Sequence, residues 1–178
     1  SAEREVSLTT GKCVCAALKK AGYEVVSHDL QNGFELVETL KKEKPDVVFN
    51  ALHGNWGEDG EIQGFLDVLQ VPYTHSGLKA SVLGMDKSLT KELASENGIK
   101  VPQGEKMTFR KFKAEGTFLK MPYVVKPVSD GSSVGVYIIR KKEDAEAVRY
   151  EDDREILIEE FIDGKELTCM VLGSQAHV

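Results

Sequence analysis

Asp46-Val47-Val48-Phe49-Asn50-Ala51-Leu52 runs directly into His53-Gly54-Asn55-Trp56-Gly57-Glu58-Asp59-Gly60 and then into Glu61-Ile62-Gln63-Gly64-Phe65-Leu66-Asp67-Val68-Leu69. The first stretch is an apolar run behind Pro45 and reads as a buried strand. The last places Ile62, Phe65, Leu66 and Leu69 at i, i+3, i+4 and i+7, the stripe of an amphipathic helix. Strand, glycine-rich loop and helix in that order make the unit of a parallel sheet covered by helices. Ligands of such sheets gather beyond the carboxyl ends of the strands, so His53–Gly60 is a candidate site. Its glycines let backbone approach a ligand, and Glu58 and Asp59 suit the start of the next helix. An ordinary connection with His53 as a turn residue fits the same residues.

Outward from this unit the alternation continues. Upstream, Glu3 and Glu5 suit a helix start, Val14, Ala17 and Leu18 share a face, and Gly22 is a stop. Tyr23–His28 reads as a strand and Phe34–Lys42 as a short helix. Downstream, Asp86–Asn97 reads as a helix with Gly98 at its C-terminal cap. Beyond it the character changes. Strands at Tyr123–Lys126, Val134–Arg140, Ile156–Glu159 and Glu166–Leu172, with one helical stretch at Glu143–Tyr150, indicate α+β structure with antiparallel pairing, so a domain change is placed near Gly84. The chain opens on a helix with no strand before it and closes just past a Gly173-Ser174 turn. A parallel sheet lacking its first strand leaves helix faces uncovered, so a piece truncated at both ends is expected.

Composition narrows the function. A chain of 178 residues, 41% hydrophobic, can bury a core. Its net charge of −6 lacks the clustered cations of a nucleic-acid surface. Runs such as Val47–Phe49 are too short to span a bilayer, and a soluble cytoplasmic protein is expected. Cys13, Cys15 and Cys169 are read as small buried hydrophobes in a reducing compartment. His28, His53, His75 and His177 show no metal-ligand spacing, so no metal site is assigned.

Two further segments carry chemistry. In Lys126-Pro127-Val128-Ser129-Asp130-Gly131-Ser132-Ser133-Val134-Gly135 a lysine ends an apolar strand and a Gly/Ser loop follows. Such a loop can fold over polyphosphate, offering N–H groups and hydroxyls while the lysine offsets charge. It is not a Walker A loop, and a plain hairpin with a solvated lysine is the competing reading. With almost nothing apolar to pin it, the loop is expected to be mobile without nucleotide. In Ile156-Leu157-Ile158-Glu159-Glu160-Phe161-Ile162-Asp163-Gly164-Lys165-Glu166 apolar residues alternate with carboxylates, the mixture an adenine slot requires. An edge strand with solvated glutamates fits equally.

Taken together, these segments resemble one enzyme family. Ser1-Ala2-Glu3-Arg4-Glu5-Val6-Ser7-Leu8, Ala51-Leu52-His53-Gly54 with Gly57-Glu58-Asp59-Gly60 and Gln63-Gly64, Pro72-Tyr73-Thr74 with Ser76-Gly77, Ser81 with Met85-Asp86-Lys87, and the lysine loop follow the order and spacing of the D-alanine–D-alanine ligases of the ATP-grasp superfamily. The resemblance implies a Rossmann-like, pre-ATP-grasp parallel-sheet domain at 1–84, a central ATP-grasp subdomain at 85–158, and the start of a C-terminal ATP-grasp subdomain at 159–178. It implies ATP-dependent joining of two D-alanines through an acyl phosphate, for peptidoglycan precursors, in a homodimer that touches neither nucleic acid nor membrane. Mg2+ or Mn2+ would be required, with ligands in sequence that lies beyond this chain.

The resemblance also carries roles. It implies that Glu3 anchors the ammonium of the first D-alanine, that Ser132 is linked to Glu3, and that His53 flanks that substrate. Lys87, Lys126 and Ser133 would meet the phosphates. Glu159 would take the adenine amine, with Glu160, Phe161 and Ile162 along the ring and Glu166 on the ribose. The Glu160 position is often lysine in the family, so only its backbone role carries over. Relatives of this ligase that use D-lactate or D-serine, and a non-catalytic nucleotide-binding module, would share nearly all of these residues.

Overall fold

A computed structural model describes residues 3–131 and 133–177. Helix α1 (Arg4–Lys20) has Glu5 in its first turn and Lys19 and Lys20 in its last, the charge order a helix dipole favours. Helix α2 (Gly33–Glu43) is capped by Asn32, whose side chain accepts from Glu35 N at 3.0 Å. In α3 (Glu61–Val68) the expected stripe turns inward: Ile62 and Leu66 join Leu36 in a small core, with Phe65, Val48 and Tyr73 packed against it.

The parallel sheet expected here is not formed as such. Among the described residues its trace is one parallel bridge, Val48 to Tyr73, closed by Val48 N to Pro72 O at 2.8 Å and Thr74 N to Val48 O at 3.2 Å. Neither Tyr23–His28 nor Asp46–Leu52 is a strand, and Tyr23, Val26, Val47 and Phe49 are exposed. A strand exists only through a hydrogen-bonding neighbour, and the described residues supply one at Val48 alone. Helix α1 likewise has no fully buried residue, so the face shared by Val14, Ala17 and Leu18 is only partly covered, as expected of a helix whose sheet is incomplete.

Helices α4 (Leu78–Met85) and α5 (Lys87–Glu96) meet at Asp86, which caps α5 by accepting from Ser88 N and Leu89 N. Gly84 lies within α4, which the sequence did not announce. Beyond this corner stands a four-stranded sheet of β1 (Gly104–Thr108), β2 (Tyr123–Pro127), β3 (Tyr137–Ile139) and β4 (Glu155–Glu160). Its order is β1-β4-β2-β3 and every pairing is antiparallel, as anticipated for this half. Tyr123, Val125, Ile139, Ile156 and Ile158 face one side, where α6 (Phe109–Glu115) adds Phe109 and Phe112, and Val148, following α7 (Lys142–Glu146), completes the core. The period of two turns Val124, Lys126, Leu157 and Glu159 to the other face, with Val124 opposite Glu159 and Lys126 opposite Leu157. A Cβ on Gly104 would overlap the Ile158 carbonyl, so the first residue of β1 has to be glycine for the strands to close.

The expected strand Val134–Arg140 is reduced to β3, because Ser133 (φ +56°) and Gly135 (φ +69°) turn the chain first. The helix expected over Glu143–Tyr150 is α7 alone. Of the expected strand Glu166–Leu172, β5 (Met170–Leu172) forms and pairs with β6 (Gln175–His177) around the Gly173-Ser174 turn. The cysteines correct another expectation: Cys13 and Cys169 are exposed and Cys15 is half-buried, all three as free thiols.

Candidate active site

The sheet face away from the core, the α4–α5 corner and the His53 loop line a cleft of about 890 Å³. Of the residues singled out in sequence, His53, Lys87, Lys126, Ser133, Phe161, Ile162 and Glu166 line it. Val124 and Ile138, on the sheet face away from the core, give it an apolar wall.

The His53 loop is held by its own carboxylates. Glu58 Oε2 accepts from Gly54 N at 2.8 Å, and Asp59 accepts from Trp56 N at 2.8 Å and Glu61 N at 3.1 Å. Gly54 (φ +72°) and Gly60 (φ +101°) occupy the left-handed region that glycine alone enters without strain. The His53 imidazole sits between Thr10 Oγ1, 2.9 Å from Nε2, and Glu58 Oε1, 3.6 Å from Nδ1, while Ser7 Oγ accepts from His53 N at 2.9 Å. Helix α1 thus positions the histidine through Ser7 and Thr10. Beneath the loop, Asn50 Nδ2 donates to Gly57 O at 2.7 Å and faces His75 Nε2 at 3.1 Å. Burial pushes the His75 imidazole below the ordinary histidine range.

Glu3 stands at the cap position of α1. A Cβ on Gly54 would overlap its carboxylate, and one on Gly131 would lie 3.5 Å from its Oε2. The carboxylate is therefore wedged between the His53 loop and the lysine loop. Ser132, its expected partner, lies outside the described residues.

The lysine loop is more firmly tied than its composition suggested. Arg154 Nη2 meets Asp130 Oδ2 at 2.5 Å, Lys87 Nζ reaches Asp130 O, and the Tyr150 hydroxyl donates to Gly135 O. Burial lowers the basicity of Lys87, the nearby Lys126 ammonium and Arg154 lower it further, and Asp130 and Asp86 oppose them. Two ammonium groups thus approach each other at the cleft wall, an arrangement that favours an anion between them.

Glu159 is placed differently from a freely facing acceptor. Its side chain is 6% exposed, with one oxygen bonded to Lys126 Nζ and the other 2.6 Å from Lys91 Nζ. Glu160 pairs with Gln103 twice: its N–H donates to Gln103 O and its Oε1 accepts from Gln103 N, both at 2.9 Å. The Phe161 ring carries the Arg140 guanidinium 4.9 Å above it. Ile162 is exposed on the cleft rim, and Glu166 lies there too. Sequence reading missed Lys91, Thr10 and Asn50. A signal for Lys91 was present, since it lies four residues after Lys87 on one helix face.

Among the described residues no three His, Cys, Asp or Glu side chains are grouped as a metal ion requires, and no helix is long and apolar enough to cross a membrane.

The family model for the D-ala D-ala ligase N-terminus matches residues 27–76, and that for the D-ala D-ala ligase C-terminus matches residues 92–178. The D-alanine–D-alanine ligase of Paramagnetospirillum magneticum is 47% identical over 178 residues, covering 99% of this chain and 58% of the relative. That of Parvibaculum lavamentivorans is 46% identical, with 98% and 58% covered. The crystal structure of D-alanine–D-alanine ligase from Bacillus anthracis aligns with a TM-score of 0.78 at 38% identity, over 95% of this chain and 57% of that one. The same organism's ligase complexed with ATP aligns with a TM-score of 0.76 at 31% identity, over 99% and 64%. The chain spans a little under three fifths of the length of the curated relatives it matches. With both halves matched in order and nearly the whole chain aligned at close to half identity, this chain belongs to the D-alanine–D-alanine ligase family.

Proposed function

We propose that the protein containing this chain is an ADP-forming ligase that joins two D-alanines, supplying peptidoglycan precursors in the cytoplasm. The observation that carries the reading is the convergence of Lys87 and Lys126 on one cleft that His53 also lines. The ammonium groups would meet the phosphates of ATP, and the wall of Val124, Ile138 and Phe161 suits the flat adenine ring. Ser133 on the loop and Glu166 on the rim would add contacts to phosphate and ribose. Glu159 and the Glu160–Ile162 backbone would edge the ring. Because Glu160 N–H is already given to Gln103 O, its carbonyl is the group left for a ligand.

Glu3 would bind the ammonium of the first D-alanine, with Ser132 linked to it and His53 beside the substrate. No protein nucleophile is required, since positioning and electrostatic stabilisation dominate phosphoryl transfer. Mg2+ accompanies ATP in such chemistry, but no group of the described residues fits it. We assign residues 1–84 to the substrate domain, 85–158 to the central ATP-grasp subdomain and 159–178 to the start of the C-terminal one. The unmatched interval between the two family models, 77–91, supports a boundary there. A homodimer is proposed with it.

The test is product formation by the full-length protein. With ATP, Mg2+ and D-alanine it should release ADP, phosphate and D-alanyl-D-alanine in equal amounts. ATP binding without phosphate release would instead indicate a nucleotide-binding module, and faster turnover with D-lactate or D-serine a different acceptor.

A further inference from the structure

Lys91 has no part in the roles assigned above, yet it is among the least exposed cations of the described residues, with a side chain 19% exposed. Its Nζ is fixed twice, to Pro102 O at 2.8 Å and to Glu159 Oε1 at 2.6 Å. Lys126 takes the other oxygen of Glu159 but lines the cleft, which Lys91 does not. One carboxylate, 6% exposed, therefore holds two cations of unequal freedom: one pinned between Glu159 and the Pro102 carbonyl, the other on the cleft wall.

This asymmetry matters when an anion enters. A phosphate at Lys126 draws its ammonium away from Glu159. Had Lys126 been the sole partner, its departure would strand a buried carboxylate, and breaking a buried pair in that way is strongly unfavourable. The second cation removes that penalty. We propose that Lys91 is a positioning residue of the nucleotide site, the fixed counter-ion that keeps Glu159 in place while Lys126 is released to phosphate. The adenine amine can then take the Glu159 oxygen that Lys126 vacates, so the two ends of the nucleotide exchange places with one internal ion pair. Lys91 touches neither substrate. It sets how much of the Lys126 charge is available.

This inference rests on ATP being the ligand of the cleft, and the experiment separates the two. In the full-length protein, ATP and D-alanine binding are measured by calorimetry for wild type, Lys91→Met, Lys91→Arg, Glu159→Gln and Lys91→Met/Glu159→Gln, with the thermal midpoint recorded for each. Lys91→Met should weaken ATP binding at least tenfold while changing D-alanine binding less than twofold, and Lys91→Arg should recover most of the loss. In the Glu159→Gln background the Lys91→Met change should cost less than threefold, because no stranded carboxylate remains to compete for Lys126. If Lys91→Met alone does not fold, the double variant carries the test, and it should fold and bind ATP like Glu159→Gln. ATP binding by Lys91→Met equal to wild type would overturn the inference while leaving the proposed function intact. So would an equal loss for ATP and D-alanine, or a full tenfold loss that persists in the Glu159→Gln background. A wild type that binds no ATP would overturn both.

Discussion

At Lys126 one side chain serves two partners, a buried carboxylate and the cleft. Replacing it with alanine leaves Glu159 with Lys91, so the fold should persist while turnover falls by two or more orders of magnitude, as expected when a cation facing a transferring phosphate is removed. Steady-state kinetics beside a thermal melt checks this, and near-normal turnover would remove Lys126 from the reaction. Lys87 supports a pH prediction. Its basicity is lowered by burial, with Lys126 adding to the shift, so it sheds its proton below the ordinary lysine range near 10.5. Bound phosphate favours the charged form, hence ATP binding takes up a proton once free Lys87 is neutral. Affinity should therefore hold steady at neutral pH and fall as pH rises through the lowered Lys87 value. Lys87→Arg should flatten that fall, because guanidinium stays charged throughout; an identical decline in the variant would assign the titration elsewhere. Motif order in the sequence was enough to bring out His53, Lys87, Lys126 and Ser133. It could not show that Glu159 is shared by two lysines, because Lys91 reaches it only through the folding of α5 against the sheet.

At the scale of elements, helices were legible from an apolar stripe or a marked end rather than from capping alone. Helix α3 was read without a side-chain cap, and α6, capped by Thr108, was not read. Asn32 before α2 and Asp86 before α5 both accept backbone N–H groups that the first turn leaves orphaned. The antiparallel strands were legible where apolar residues alternate or run together, as in Tyr123–Pro127 and Glu155–Glu160. Strand β1, Gly-Glu-Lys-Met-Thr, has no such signal and forms because β4 offers it an edge from Glu155 to Glu159. The reverse holds for Tyr23–His28 and Asp46–Leu52, whose composition suits a strand but to which the described residues offer no neighbour beyond the single bridge at Val48. Helix α4 was hidden by Gly84, which reads as a break and sits inside the last turn. Asp86 joins cap to function, because α5 starts with Lys87. Asp86→Ala should cost about 1 kcal/mol of stability, read as a lower urea midpoint at unchanged slope. It should also weaken ATP binding several-fold by loosening the turn that aims Lys87. An unchanged midpoint would mean that water satisfies those N–H groups equally well.

Across the whole molecule the lysine loop is the point where separate elements meet. Its Asp130 is held by Arg154 ahead of β4 and by Lys87 at the start of α5; Gly131 lies against Glu3 at the start of α1; Gly135 is held by Tyr150. The sequence suggested a loop with little to fasten it, and the structure shows one fastened at its flanks, with Ser133 and Val134 exposed between them. Closing over a nucleotide then requires exchange rather than simple ordering: Lys87 must give up Asp130 O for phosphate, and the loop must recover that bond from ligand contacts. Hydrogen exchange of peptides spanning 129–136 should show moderate protection without ligand, a clear rise with ATP and D-alanine together, and a smaller one with D-alanine alone. Arg154→Ala should separate the two states, since its ion pair with Asp130 is made before ligand arrives. In that variant exchange of the free loop should speed up several-fold, whereas protection with both ligands should approach the wild-type level. Two results would sink this account. Full protection of the loop in the free wild type would make it a rigid turn, and a variant as slow as wild type without ligand would show that Arg154 does not hold it.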